Sequence, residues 1–162
     1  MQLLISDANI FIDLDVCGIL EQMFELPFEF AVPDILYMEE LEEHHGDLPR
    51  YGLQIKKLNS QNIEYVSSLQ TRYNGPSDND FFAFVLAKQE NCPLITGDAQ
   101  LRKVAEAEGV ELKGTIWIIE QFVKQKLMSP DDALNVFELM KSRGRRLPWD
   151  KAKKSIEKLR NI

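Results

Sequence analysis

Acidic side chains follow two short apolar segments of this sequence. Asp7 comes directly after LLIS, residues 3–6, and Asp98 follows PLIT, residues 93–96, after a single glycine. Ligand sites of open parallel sheets collect at the carboxyl ends of the strands, so both acids lie where chemistry is common. Each also has a local explanation, because Asp and Asn frequently cap helices or form Asx-turns, and Asn9 could do so beside Asp7.

A third acid opens an apolar helical segment. SDND, residues 77–80, precedes FFAFVLAKQ, whose composition predicts a nearly enclosed helix. Ser77 and Asp80 have the spacing of a capping box, although the usual acidic partner is Glu or Gln. Alternatively, Asp80 points at the same site as Asp7 and Asp98, with the helix N-terminus favouring its negative charge.

Segment 33–46, PDILYMEELEEHHG, carries four glutamates on one predicted helix. Most of them must be solvated, since burying an unpaired carboxylate is unfavourable. At 100° per residue Glu39 falls between Ile35 and Leu36, whereas Glu40 lies nearer Tyr37. The periodicity therefore favours Glu39 as the inward acid, with Glu40 as the alternative.

Carboxylates that converge at strand ends repel one another and raise their own pKa values unless cations are bound among them. Oxygen ligands suit Mg²⁺ or Mn²⁺, whereas zinc prefers Cys or His. The two cysteines are far apart in apolar contexts and form no metal-ligand spacing. Metal ions held by carboxylates typically activate water and stabilise the leaving oxygen of an in-line phosphoryl displacement.

The elements that must position these acids alternate along the chain. Short apolar runs predict strands at 3–6, 28–32, 63–66, 93–96 and 110–113. Helical spacing is found at roughly 10–25, 34–45, 49–59, 78–90 and 98–108. This alternation predicts an α/β fold, with a parallel sheet of four to five strands and helices on both faces. Residues 1–128 form the predicted catalytic domain, and 129–162 form a C-terminal helical extension packed on the same domain.

Charge is distributed unevenly along the 162 residues. Net charge is −7 for the whole chain, but residues 141–162 carry nine basic and two acidic side chains. A polyanionic partner would therefore be bound mainly by this basic tail or by metal ions on the acidic body. The chain has neither a run long enough to span a membrane nor the order of a signal peptide, so we expect a cytoplasmic protein.

Several of these segments together resemble the PIN-domain family of metal-dependent ribonucleases. The resemblance is carried by SDANIFID (6–13), PDILYME (33–39), SDNDFFAFVLA (77–87) and LITGDAQLRKVAEAEGVELKGT (94–115). Within the family, the chain is most similar to the bacterial single-domain proteins related to VapC toxins, the group with PilT N-terminus-like domains. The likeness covers roughly residues 1–125, and its most specific part is the TGDxxLR segment.

The resemblance implies a four-acid metal site. It implies that Asp7, Asp80 and Asp98 bind Mg²⁺ or Mn²⁺, with a glutamate as the fourth acid. Counting from Pro33 selects Glu39, whereas the Glu-Leu pair frequent in the family selects Glu40. Supporting roles fall to Asn9, Thr96 and Ser77.

The resemblance also implies an activity and partners. The family cleaves RNA, often as homodimers, and often pairs with an antitoxin protein that blocks the site. RNA would be drawn in by the bound metals and by basic side chains, since phosphates dominate such binding. The candidate RNA-binding residues are Arg102, Lys103, Arg143, Arg145 and Arg146.

Two rival interpretations use the same residues. In the first, the fold is a catalytically silent binding module whose carboxylates only cap helices. In the second, Asp13-Leu14-Asp15 is the D-x-D of an aspartyl phosphatase, although this segment lies well past the strand end and within the first predicted helix. The C-terminal helices could be structural, form a dimer contact or bind RNA.

Overall fold

The structure is a computed structural model that describes residues 1–160. Its centre is a five-stranded sheet in which every pairing is parallel, with the strand order β3-β2-β1-β4-β5. Helices pack around the sheet, which confirms the predicted α/β class. The strands are β1 (Gln2–Ser6), β2 (Phe28–Pro33), β3 (Gln54–Lys56), β4 (Leu94–Ile95) and β5 (Leu112–Lys113).

Residues 1–160 also form eleven α-helices and a π-helical turn at Tyr37–Leu41 that joins α3 to α4. The helices are α1 (Ala8–Val16), α2 (Leu20–Met23), α3 (Asp34–Leu36), α4 (Glu42–His45), α5 (Leu48–Tyr51), α6 (Ser60–Arg72), α7 (Asp78–Gln89), α8 (Leu101–Glu108), α9 (Thr115–Lys124), α10 (Pro130–Ser142) and α11 (Trp149–Leu159). No helix among residues 1–160 has the length and apolarity that a membrane crossing requires.

The strand order places a switch point between β1 and β4. The chain runs from β1 to β2 and β3 on one side, then returns to add β4 and β5 on the other. Ser6 pairs with Ile95, so the carboxyl ends of β1 and β4 are level with each other. Connections leave these two strand ends in opposite directions, and the crevice between them is where ligands bind in sheets of this kind.

Helix α7 lies at the centre of the core and fixes the residues at its own N-terminus. Its side chains Phe81 and Phe84 are 2% and 0% exposed, and the helix contacts β1, β2 and β4. Burying a large apolar side chain contributes about 1.5–3 kcal/mol, which makes this helix a rigid base for the segment that precedes Phe81. The predicted enclosed helix is confirmed.

The third strand differs from the prediction. IEYV, residues 63–66, was the expected strand but lies in α6, where Val66 and Leu69 are buried and Ile63 is 48% exposed. The three-residue spacing of buried positions is helical, and Asn59 caps the helix by accepting the N–H of Asn62 at 2.9 Å.

The true third strand, β3, falls inside the segment predicted as a helix at 49–59. It has only three residues and pairs with β2 at the edge of the sheet. A strand this short leaves almost no periodic pattern in the sequence. Its position is set by pairing with Ala31–Pro33 rather than by its own residues.

The C-terminal helices pack against α9 and against each other. Phe137 on α10 and Trp149 on α11 bring their ring centroids within 6.4 Å, and Ile156 is fully buried. The loop between these helices returns to the sheet crevice and contacts α1. The division of the chain at residue 128 stays a prediction, and residues 161 and 162 of the predicted extension lie outside the described residues.

Candidate active site

Asp7 extends β1 by one residue and is buried at the switch point. Its N–H donates to the Ile95 carbonyl at 3.1 Å, which continues the β1–β4 pairing, and its side chain is 2% exposed. One carboxylate oxygen accepts the Ile10 N–H at 3.1 Å and thereby caps α1, as the local interpretation expected. The other accepts the Thr96 hydroxyl at 2.5 Å. Asp7 is therefore both a helix cap and part of a cross-strand cluster.

Burial makes the negative charge of Asp7 unfavourable. Desolvation raises the pKa of Asp7 to about 6, and the nearby charge of Asp80 acts in the same direction. Hydrogen bonds from Thr96 and Ile10 stabilise the ionised form and partly oppose the shift in pKa. A carboxyl group in this state gains most from a bound cation, because a positive charge favours ionisation.

Thr96 connects Asp7 to Asp98. Its hydroxyl donates to Asp7 and accepts the Asp98 N–H at 3.0 Å, so one side chain orients both acids. The local alternative of an N-cap is wrong for Asp98, since α8 begins later with Gln100 as its N-cap. The Asp98 carboxylate accepts the Gln100 N–H at 2.9 Å and closes a short turn between the strand and the helix.

Asp80 is held by the capping box that its spacing predicted. Its carboxylate accepts the Ser77 N–H at 2.9 Å, and its N–H donates to the Ser77 hydroxyl at 3.1 Å. Burial raises the pKa of Asp80, and the charge of the nearby Asp98 adds to the rise. The capping box is confirmed, and it places Asp80 beside Asp98, as the functional interpretation requires.

Glu39 and Glu40 lie at the rim, where Asn79 joins them to the first turn of α7. The Asn79 amide donates to one oxygen of each glutamate, at 3.0 Å in both cases. Burial raises the pKa of Glu40, and the charges of Asp80 and Glu39 add to it. Because Asn79 contacts both glutamates at the same distance, Glu39 and Glu40 both stay candidates for the fourth acid.

A cavity of about 410 Å³ opens between Asp80 and Asp98 on one side and the loop that joins α10 to α11 on the other, and Asp7, Glu39 and Glu40 do not line it. Asn9 from α1 lies on its wall, and Thr115, the first residue of α9, is a further wall residue. Three carboxylates and two guanidinium groups complete the polar lining. These charged side chains are Asp13, Asp80, Asp98, Arg145 and Arg146.

The predicted RNA-binding side chains divide into three groups. Arg145 and Arg146 line the acidic cavity, and Arg145 forms an ion pair with Asp13 through its Nε at 2.7 Å. Arg102 and Lys103 are exposed on the first turn of α8. Arg143 lines a separate small cavity beside Cys17 and does not line the acidic one.

The donor chemistry of the site fits a divalent cation. Among residues 1–160, no Lys, Arg or His forms an ion pair with Asp7, Asp80, Asp98 or the two glutamates. The ligands available are all oxygen atoms, as hard cations prefer. In this same part of the chain no three Asp, Glu, His or Cys side chains form a preassembled metal cluster. The acids are arranged as neighbouring pairs, Asp7 with Asp80 and Asp80 with Asp98.

Sequence reasoning missed two residues of this site. Asn79 lies within the SDND segment directly before Asp80, and an amide beside a candidate metal ligand is a signal for a positioning role. Asp13 was considered only within a phosphatase motif, whereas it lies on α1 and binds Arg145. No signal could have revealed that contact, because it joins residues 132 positions apart.

Comparison with known proteins agrees with the fold. The family model described as DUF3368, PIN domain, matches residues 3–161. The chain belongs to this PIN-domain family. No curated protein matches the chain.

Among solved structures, this PIN domain is similar to a chain of VapBC2 from Rickettsia felis, crystallised bound to a DNA fragment from their promoter. The TM-score is 0.51 and the sequence identity 16%, over 70% of this chain and 98% of the other. At this identity the likeness concerns the fold.

Proposed function

We propose that this PIN domain is a metal-dependent endoribonuclease that hydrolyses RNA phosphodiester bonds with Mg²⁺ or Mn²⁺ as its cofactor. The observation that carries the proposal is that Thr96 links Asp7 to Asp98 at the switch point and that Asp80 neighbours both, while none of the three acids forms an ion pair among residues 1–160. Such an arrangement is unfavourable for folding alone, which supports a role in binding cations.

Each side chain has a distinct task in this proposal. Asp7, Asp80 and Asp98 bind the cofactor, and Glu40 or Glu39 adds a fourth carboxylate from the rim. When bound, the metal supplies Lewis acidity, which lowers the pKa of water and stabilises the leaving oxygen of an in-line displacement. Thr96 orients Asp7 and Asp98 through hydrogen bonds to both, and Ser77 orients Asp80 in the same way. Asn9 borders the cavity where the substrate enters.

The proposal extends to partners and to location. The similarity in fold to a chain of VapBC2 supports a toxin that is neutralised by an antitoxin protein. The family resemblance supports a homodimer, and the absence of a predicted membrane segment supports a cytoplasmic protein. An antitoxin would act by covering the acidic cavity.

A mixed RNA pool tests the proposed activity. We expect cleavage with Mn²⁺ or Mg²⁺ and none with a chelator, measured by gel analysis of end-labelled RNA. Asp80→Asn and Asp98→Asn should each lower the rate about 10²-fold or more, because a metal site contributes several kcal/mol and each 1.36 kcal/mol is a factor of ten.

Asp78→Asn is the matched control, since Asp78 is exposed on the same turn of α7 as Asp80 and bonds outward to Gln70 at 2.8 Å. Its rate should equal that of the wild type. Cleavage that survives the chelator, or equal rates for all three variants, would contradict the proposal and favour the silent binding module.

A further inference from the structure

A second cavity of about 400 Å³ adjoins the acidic one. The two cavities share lining residues on both walls, so together they form one continuous groove. Gly97 and Asp98 belong to the wall that follows β4, and Arg146 and Leu147 belong to the loop between α10 and α11. Each cavity has a volume in the range of small-molecule sites, about 300–1,000 Å³.

The groove changes charge along its length. Three acidic and two basic side chains line the first cavity, and its Arg145 is already paired with Asp13. The second cavity has three basic and two acidic side chains. Its basic side chains are Arg102, Lys113 and Arg146, and Lys113 is paired with Glu111 at 2.8 Å. Arg102 and Arg146 form no ion pair among residues 1–160, so a polyanion whose reacting phosphate lies over the acids would contact these two cations where it continues into the second cavity.

Arg146 stands at the junction of the two cavities. Its side chain is exposed, and it forms no ion pair with any acidic residue of the described chain. Its neighbour Arg145 is fixed to α1 through Asp13, whose side chain is only 15% exposed. This ion pair fixes the loop between α10 and α11 to α1, and so it restricts the positions that Arg146 can occupy. A guanidinium fork is well suited to phosphate, because two parallel N–H groups can bind two oxygens.

We propose that the second cavity is a nucleotide subsite of the groove. Arg146 binds the phosphate next to the one over the acids, and Arg102 binds the chain further along. Arg145 is a positioning residue that acts by holding the loop against Asp13. The inference rests on the proposed function in that the ligand is single-stranded RNA, but it does not require that the RNA be cleaved.

Salt-dependent binding tests the subsite. Fluorescence anisotropy of a labelled single-stranded RNA is measured against KCl in chelator, in an Asp80→Asn background so that the RNA stays intact. The logarithm of the affinity falls as the logarithm of the salt concentration rises, and loss of one phosphate contact makes this slope less steep by about 0.7 for single strands. We expect Arg146→Ala to show this smaller slope together with binding weakened several-fold, and Arg146→Lys to keep the slope of the parent.

Lys153→Ala is the matched control, because it removes one positive charge from α11, outside both cavities. It should leave affinity and slope unchanged. The subsite is overturned if Arg146→Ala keeps the parental slope, if Lys153→Ala lowers the slope equally, or if the parent binds no RNA at any salt concentration.

The experiments distinguish a failure of the proposed nuclease function from a failure of the proposed nucleotide subsite. A protein that cleaves RNA with metal but has no Arg146 contribution to binding retains the nuclease function and loses the subsite. A protein that cleaves nothing in the RNA pool but loses RNA affinity in Arg146→Ala retains the subsite and loses the nuclease function. Thermal unfolding of each variant checks that the exposed substitutions leave the fold intact.

Discussion

At the scale of single residues, Asp7 has a structural role as a helix cap and a proposed role as a metal ligand. The second role requires an ionised carboxylate, which is unfavourable at a buried position. Asp7 caps α1 and accepts the Thr96 hydroxyl, yet its burial makes ionisation unfavourable and raises its pKa to about 6. An amide at this position could still cap the helix without carrying a charge. We therefore expect the carboxylate to lower the free energy of unfolding of the metal-free protein at neutral pH, as is common where activity needs a destabilised site.

Replacing Asp7 with Asn should stabilise the metal-free protein above pH 6. The pKa of Asp7 is raised in the folded state, from 3.8 to about 6. Between these values the folded protein binds more protons than the unfolded chain, so the free energy of unfolding falls as pH rises and then levels off. At 1.36 kcal/mol per pKa unit, the largest gain for Asp7→Asn is about 3 kcal/mol.

Urea unfolding in chelator at pH 4 and pH 7.5 measures this effect. The wild type and Asp7→Asn should differ at pH 7.5 and converge near pH 4. Asp47→Asn is the control, since Asp47 is an exposed acid that forms no ion pair among residues 1–160. An Asp7→Asn protein no more stable than the wild type at pH 7.5 would show that the buried charge is not destabilising.

At the scale of secondary-structure elements, two capping boxes of the same design serve different purposes. Ser77 and Asp80 cap α7, and Ser129 and Asp132 cap α10, with reciprocal side-chain to backbone hydrogen bonds in both. Only the first box contains a candidate metal ligand. The helix start at α7 therefore places Asp80 while it satisfies the free N–H groups of the first turn.

Ser→Ala substitution in each box separates stability from metal binding. Ser77→Ala and Ser129→Ala should each lower the free energy of unfolding by about 1 kcal/mol, the usual effect of losing an N-cap. Only Ser77→Ala should weaken Mn²⁺ binding, by about tenfold or more, as is typical when the partner of a metal ligand is lost.

Denaturant unfolding and calorimetric titration with Mn²⁺ give the two values for each variant. Equal Mn²⁺ affinity in the Ser77→Ala and Ser129→Ala proteins would mean that the capping box does not position Asp80 for a metal. Weaker Mn²⁺ binding in both would indicate a general loss of structure.

At the scale of the whole molecule, the C-terminal helices complete the site that the sheet begins. The acids come from the switch point between β1 and β4, whereas Arg145 and Arg146 come from the loop between α10 and α11. The Asp13–Arg145 ion pair joins these two parts of the chain. The acidic body and the basic tail identified in the sequence thus meet at one cavity.

A double-mutant cycle on Asp13 and Arg145 measures this connection. Asp13→Ala, Arg145→Ala and the double variant should give a coupling energy of about 0.5–1 kcal/mol, within the range measured for partly exposed pairs. High salt should reduce the coupling, because mobile ions screen the pair. Additive effects of the two single variants on unfolding in low salt would show that the pair does not fasten the loop.

The sequence by itself determined the features that depend on neighbouring residues. Apolar segments followed by acids indicated parallel strands with a site at their ends, and the three-residue spacing of Ser77 and Asp80 indicated a capping box. Both were readable because helix caps and strand patterns involve residues close in the chain. The basic tail was equally visible from composition.

Only the tertiary structure decided the contacts between distant residues. The edge strand β3 depends on pairing with β2, the closeness of Asp80 to Asp98 depends on how α7 packs on the sheet, and the Asp13–Arg145 pair spans 132 positions. Such contacts follow from strand order, register and packing, which involve the whole chain at once. Local periodicity carries no record of them, because it reports only which face of an element is buried.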